Sequence, residues 1–132
     1  MTTDKCPCGS GQSLSACCGP YLSGPAKPRT AEALMRSRYS AYVTQNISHL
    51  KETLWPKNQI GFDEVATARW ARENHWTGLN VLDVQKGGET DREGMVLFEA
   101  TYLAGGRLNT HREYSRFRKK AGRWYYVEAI PE

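Results

Sequence analysis

All four cysteines of this chain fall within thirteen positions, at Cys6, Cys8, Cys17 and Cys18, and no other feature restricts the fold as strongly. Thiols so close together either bridge or share a metal. A bridge between the adjacent Cys17 and Cys18 would be strained, and a protein of a reducing compartment cannot rely on disulfides, so pairing is the lesser reading. A metal accounts for the cluster better. Four thiolates close a tetrahedral zinc site at Zn–S distances of about 2.3 Å and leave no position for water, which makes such a zinc structural. The CxC, eight residues, CC spacing needs tight turns, and Pro7, Gly9, Ser10 and Gly11 are residues that make them. Residues 1–18 are too few to build a hydrophobic core, so one bound zinc is expected to supply most of the folding free energy of this knuckle.

The remainder divides in two. Residues 19–29 read GPYLSGPAKPR, with three prolines and two glycines, which predicts a loop or short linker. Tyr21 and Leu22 are the residues expected to pin the knuckle onto the main domain. Residues 30–132 are long enough for a domain, and a hydrophobic share of 39% in the whole chain is that of a chain with a real core. Met1 to Lys5 leaves no room for the apolar stretch of a signal peptide before Cys6, and no run approaches the roughly 20 apolar residues of a membrane span. A cytoplasmic location is the expectation.

Within residues 30–132 the periodicity changes once. Thr30 is a candidate N-cap for a helix over Ala31–Gln45, with Ala31, Leu34, Met35, Ala41 and Tyr42 on its apolar stripe and Arg38 among them. A second helix is expected over Ser48–Trp55, stopped by Pro56, and a third from Asp63 to about His75 carrying Val65, Ala66 and Trp70. Four strand-like runs come next, Thr77–Lys86, Met95–Leu103, Leu108–Lys119 and Arg123–Ile130, separated by short Gly-bearing loops that predict antiparallel hairpins. Helices first and sheet second indicates an α+β domain. Neither a GxGxxG nor a P-loop pattern occurs, so nucleotide binding by those devices is not supported.

Two resemblances agree with this layout. The string from Cys6 to Gly19, CPCGSGQSLSACCG, is similar to the SEC-C motif, the zinc-binding tail of the SecA preprotein translocase motor. Cys6, Cys8 and Cys17 match its three thiolate ligands, and Cys18 stands where such tails carry Cys or His. In SecA the tail docks on a chaperone partner and near the ribosome, so the resemblance implies interaction rather than catalysis. The main domain resembles the YchJ-like family through TAEALMRSRYSAYV at Thr30–Val43, the run at Phe98, Ala100 and Tyr102, the HxExSxF run from His111 to Phe117, and RWYYVE at Arg123–Glu128. That resemblance implies a nuclear transport factor 2-like (cystatin-like) fold, a cone of three helices on a curved antiparallel sheet with a pocket between them. It implies no established activity, and it departs from members with a second SEC-C copy, since no cysteine comes after Cys18.

Alternation along Leu108–Lys119 places His111, Glu113, Ser115 and Phe117 on one face and Arg112, Tyr114, Arg116 and Arg118 on the other. The second set is too basic to be buried, so the first should face the helices. Arg38 is then the expected partner of Glu113, and Arg38, His111, Glu113 and Ser115 under Trp124 and Tyr126 would have the composition of a pocket. A structural polar network competes with that reading, and an enzyme site ranks behind a ligand pocket. Ser115 and His111, about 13 Å apart along a strand, cannot form a nucleophile–base pair with each other. His49 and His75 sit singly on expected helices and read as surface or core histidines. From Arg107 to Arg123 there are seven basic residues, including Lys119 and Lys120, against Glu113 alone. This basic face reads as a solvated outer surface, or as a dock for an acidic protein or, with Tyr114 for stacking, RNA.

The function these residues lead one to expect is a zinc-binding interaction or adaptor module for a protein or ribonucleoprotein partner. The alternative is a small-molecule-binding protein or enzyme using the inward pocket.

Overall fold

Two tight hairpins fix the register of the sheet. Gly105 and Gly106 (φ 60° and 75°) make the two-residue turn between β2 (Glu93–Ala104) and β3 (Arg107–Lys120), and Ala121 and Gly122 (φ 52° and 77°) make that between β3 and β4 (Arg123–Ile130). Positive φ at both turn positions matches the twist of the flanking strands. With β1 (His75–Lys86) on the far edge, the computed structural model has one antiparallel sheet of order β1-β2-β3-β4. It describes residues 5–24 and 26–132; residues 1–4, part of the stretch read for a leader, and Pro25 of the expected linker lie outside the described residues. Register shifts at Trp76/Gly78 and Val81/Asp83 in β1, and at Arg116/Phe117 between β3 and β4, are bulges that bend the sheet around the helices. The architecture is therefore the expected α+β one, with the helices preceding the antiparallel sheet in the chain.

The helices begin where side chains cap them. α2 (Ala31–Thr44) starts at Thr30, whose hydroxyl accepts from Ala33 N at 3.0 Å. α3 (Ile47–Glu52) starts one residue earlier than expected because Asn46 accepts from His49 N, and a 3-10 turn at Pro56–Gln59 comes after it. α4 (Glu64–Glu73) starts at Asp63, which accepts from Ala66 N at 2.9 Å. It ends sooner than expected: Asn74 is extended, and His75 opens β1 as an exposed strand residue rather than lying on a helix.

The stretch expected to be a loop is corrected at its start. Gly19–Ser23 is a short helix, α1, and Gly24 (φ 106°) terminates it in the left-handed region. Proline is tolerated in a first helical turn, where the missing N–H has no partner to lose. Leu22 packs on the core as expected. That core is shared. Cys6, Cys8 and Cys18 belong to one buried cluster with Leu34, Met35 and Tyr39 of α2 and Val96, Phe117 and Trp124 of the sheet.

The end of α3 is sewn to the sheet edge. Trp55 N donates to Tyr126 O and Tyr126 N donates to Thr53 O, both at 2.8 Å, which fixes where Tyr126 stands.

Candidate functional site

The knuckle is folded by its own backbone before its side chains are considered. Cys6 N donates to Gln12 O at 2.8 Å, Gly9 N to Cys6 O at 3.2 Å, and a 3-10 turn at Leu14–Ala16 brings Cys17 N to Leu14 O at 3.1 Å. These turns bring the four cysteine sulfurs within 4.8 Å of one another. Cys8 and Cys17 are 3.6 Å apart and Cys17 and Cys18 4.0 Å. Sulfurs on a tetrahedron with metal–sulfur bonds of about 2.3 Å stand about 3.8 Å apart, so the donor set fits a single ion. Cys6, Cys8 and Cys18 are buried and Cys17 half-buried, as a closed site requires. The surroundings orient the ligands: Ser10 Oγ donates to Cys17 Sγ at 3.1 Å, Ser40 lies 3.5 Å from Cys6 Sγ, and Arg36 donates to Cys8 O at 2.7 Å. Hydrogen bonding from the Cys18 thiol, joined by Ser10, draws the Cys8 thiol well below the usual thiol range against the opposing effect of burial.

The second feature is a pocket of about 120 Å³ between α2, α4 and the sheet. Arg38, His111, Glu113, Ser115 and Tyr126 line it together, as the alternation along β3 predicts. Their pairing differs from expectation. Glu113 accepts from Ser115 Oγ at 2.6 Å, Tyr126 OH at 2.7 Å and His111 Nε2 at 3.0 Å. Burial would raise its pKa, but these three donors prevail and hold the carboxyl below its usual range. No ion pair joins Glu113 to Arg38 among the described residues. Arg38 instead donates through Nη1 to Leu50 O at 2.8 Å and Thr53 Oγ1 at 2.6 Å, and its guanidinium lies 4.7 Å from the Tyr126 ring centroid. The end of α3 offers it neutral acceptors, and Tyr126 takes the carboxylate.

Trp124 also departs from the expected cluster. It is buried at the other end of α2 and does not line this pocket; its Nε1 donates to Arg29 O at 3.0 Å, fastening the segment before α2 to β4. The wall opposite Glu113 is aromatic instead, with Tyr42 of α2, Trp70 of α4 and Trp76 of β1 in edge-on and tilted contact, centroids 5.0 to 5.7 Å apart. Tyr42 and Trp70 read as ordinary apolar stripe residues; the signal for their meeting was a tyrosine on one helix and a tryptophan on another, each on an inward stripe.

The basic face is less basic than the count along β3 implies. Arg112 is held by Glu132 at 2.9 Å and Glu99 at 3.1 Å, and Arg116 by Glu128 at 2.9 Å and Glu93 at 3.3 Å. Arg118 lies over Trp55, 4.8 Å from its ring centroid, and Tyr114 sits half-buried between the two arginines. The neutralising acids come from neighbouring strands and the chain end, which a count along one strand does not include. Among the described residues no helix is long and apolar enough to cross a membrane.

Comparison with known proteins reproduces the two-part layout. The model of the YchJ middle NTF2-like domain matches residues 30–129, and that of the SEC-C motif matches residues 3–20. A UPF0225 protein of Geobacter sulfurreducens is 42% identical over 126 residues, covering 96% of this chain and 78% of the relative. The solution structure of a SEC-C motif containing protein from Rhodopseudomonas palustris superposes with a TM-score of 0.88 at 38% identity, over 96% of this chain and 98% of the other. A crystal structure of a SEC-C motif containing protein from Psychrobacter arcticus gives 0.83 at 29%, over 100% and 85%.

Proposed function

Because the chain belongs to the YchJ family, with its middle NTF2-like domain behind a SEC-C motif, we propose that it is a zinc-binding interaction module docking on a protein or ribonucleoprotein partner. One observation carries the metal part: four cysteine sulfurs, three of them buried, within 4.8 Å of one another. An all-sulfur tetrahedral set suits zinc, and in the absence of an open position the ion would supply cross-linking rather than reaction chemistry. Cys6, Cys8, Cys17 and Cys18 would hold it. Ser10 and Ser40 would support the sulfurs, and Arg36 fastens the Cys8 peptide to α2.

What supports the docking part is the knuckle's surface and its resemblance to a tail used for docking. Gly9–Gln12 and Ser15–Ala16 are exposed while most of the cysteines behind them are buried, so a surface of turns faces outward.

Two measurements test the reading. Metal analysis of purified chain should find one zinc, and a pull-down from native lysate should lose a discrete partner when Cys6 and Cys8 are both replaced by Ser. Metal-free protein with four titratable thiols would end the first part, and identical partners for both chains the second.

A further inference from the structure

The pocket under α2 carries a polar imbalance that the fold does not use. Its one carboxylate, Glu113, is occupied by three donors from within the protein. Its one guanidinium is not. Arg38 commits Nη1 to Leu50 O and Thr53 Oγ1, and no acceptor among the described residues takes the N–H groups on Nε and Nη2. Trp76, on the aromatic wall, keeps its Nε1 buried without a partner. Arg38 and Trp76 therefore leave donors uncommitted in the pocket, beside the Tyr42 hydroxyl and the Nδ1 of His111, which no group among the described residues takes. Burial itself works against the Arg38 charge. A guanidinium with no carboxylate at contact and its Nε and Nη2 N–H groups uncommitted favours an anion that can accept two parallel N–H bonds.

Size and walls restrict that anion further. Tyr42, Trp70, Trp76 and Phe98 present ring faces and edges around about 120 Å³, less than the about 150 Å³ of a closed cavity that holds benzene, so a bound aromatic acid would keep part of its ring at the open mouth. Trp70, 40% exposed, stands at the rim where a ligand would enter. We propose that this pocket binds a small planar carboxylate, of the size of an aromatic monoacid, with its carboxylate on Arg38 and its ring against the wall that Tyr42, Trp70 and Trp76 form together. The site is separate from the cysteine knuckle, so failure of either reading leaves the other standing.

The test uses the full zinc-loaded chain and three probes that share one ring, benzoate, its neutral isostere benzamide and the cationic benzylamine, with the Trp76 indole resonance as the readout. Benzoate should bind at millimolar concentration and move that resonance. Losing the charge-assisted pair should leave benzamide about tenfold or more weaker, and benzylamine should not bind. Arg38→Met should abolish benzoate binding. Since Arg38 also holds α3, this variant can fail to fold for reasons of structure alone, and Trp76→Phe serves as the second: it keeps one aromatic ring in the wall, removes the N–H together with the fused second ring, and should weaken benzoate several-fold more than it weakens benzamide, with Trp70 then reporting. Equal affinity for benzoate and benzamide, tighter binding of benzylamine, a response confined to residues outside the pocket, no binding of benzoate at all, or unaltered affinity in folded Trp76→Phe would each overturn the proposal.

Discussion

The Tyr126 hydroxyl donates to Glu113 Oε2 at 2.7 Å. That bond makes a carboxylate tolerable beneath the helices, and it depends on Tyr126 being clamped by α3 through the two backbone bonds to Thr53 and Trp55. Tyr126→Phe removes a hydrogen bond to a charged group and should cost about 1.5–3 kcal/mol. The Glu113 carboxyl, now held low, should titrate closer to its ordinary value in that variant. A depressed folded pKa contributes stability above the unfolded value and loses it as pH falls through the folded one, so the Phe variant should also lose less stability on acidification. Carboxyl NMR titration and denaturant melts at neutral and acid pH read both effects.

His49 gives a separate acid response. Ser37 Oγ donates to Leu34 O at 2.7 Å and so accepts from His49 Nε2 at 2.9 Å, which fixes the neutral ring with its proton on Nε2. Burial, aided by Arg38, Arg123 and Lys27, pushes the pKa down to about 4. The neutral ring therefore contributes fully above pH 6.5, and the contribution drains away as pH falls from there toward 4, a loss on the order of 3 kcal/mol. His49→Gln keeps an N–H for Ser37 and does not titrate. Its stability should be flatter across that window, as urea melts at pH 7 and pH 4.5 would show.

The turn from β1 to β2 is pressed against the start of α2. A Cβ on Gly94 would lie 2.4 Å from Gly87 Cα and 3.3 Å from Ala31 Cβ, whereas one on Gly105 would meet nothing within 4 Å. Gly94→Ala should therefore cost about 2 kcal/mol or more through overpacking of backbone, whereas Gly105→Ala should cost about 1 kcal/mol through its positive φ alone. Thermal melts of the two variants check the order.

Much of this was legible because it is local. The Thr30 and Asp63 caps, the Gly-bearing turns and the alternation that puts His111, Glu113 and Ser115 on one face each depend on residues a few positions apart. The cysteine cluster was legible for the same reason. Pairings across elements were not. Nothing near Glu113 in sequence says that Tyr126, thirteen positions on, would outcompete Arg38, because the register shift between β3 and β4 at Arg116/Phe117 decides which β4 side chain reaches it. The acids facing Arg112 and Arg116 lie on β2, on β4 and at the chain end, and only the register assigns them.

Removing the metal should affect more than the knuckle. Residues 30–132 have core enough to suggest independent folding, yet Cys6, Cys8 and Cys18 are packed in the same cluster as Leu34, Met35 and Tyr39. Stripping the ion frees charged or hydrated thiols in contact with that apolar face of α2. The expected result with a strong chelator is a single cooperative melt at lower temperature, with the α2 amides losing exchange protection alongside the knuckle. A two-step melt with α2 protection untouched would show that the shared core does not couple them.

The outer sheet face yields the last prediction. Four carboxylates, Glu93, Glu99, Glu128 and Glu132, occupy Arg112 and Arg116 in exposed pairs, each pair contributing at most about 1 kcal/mol to folding. Their larger effect is on what the face attracts, because a guanidinium already shared between two carboxylates is not free to meet a phosphate. Replacing the four glutamates together by Gln should leave the fold within about 2 kcal/mol of its starting stability and raise the net charge of +4 by one for each substitution. Single-stranded RNA should then bind the variant more tightly than the parent, with a steeper loss of affinity as salt rises, by about 0.7 log units per log unit of salt for each arginine released. Filter binding across a salt series measures the slope. An unchanged slope would mean that Arg112 and Arg116 stay out of reach of a nucleic acid even when unpaired, and a slope already steep in the parent would mean that the glutamate pairs yield to phosphate without help.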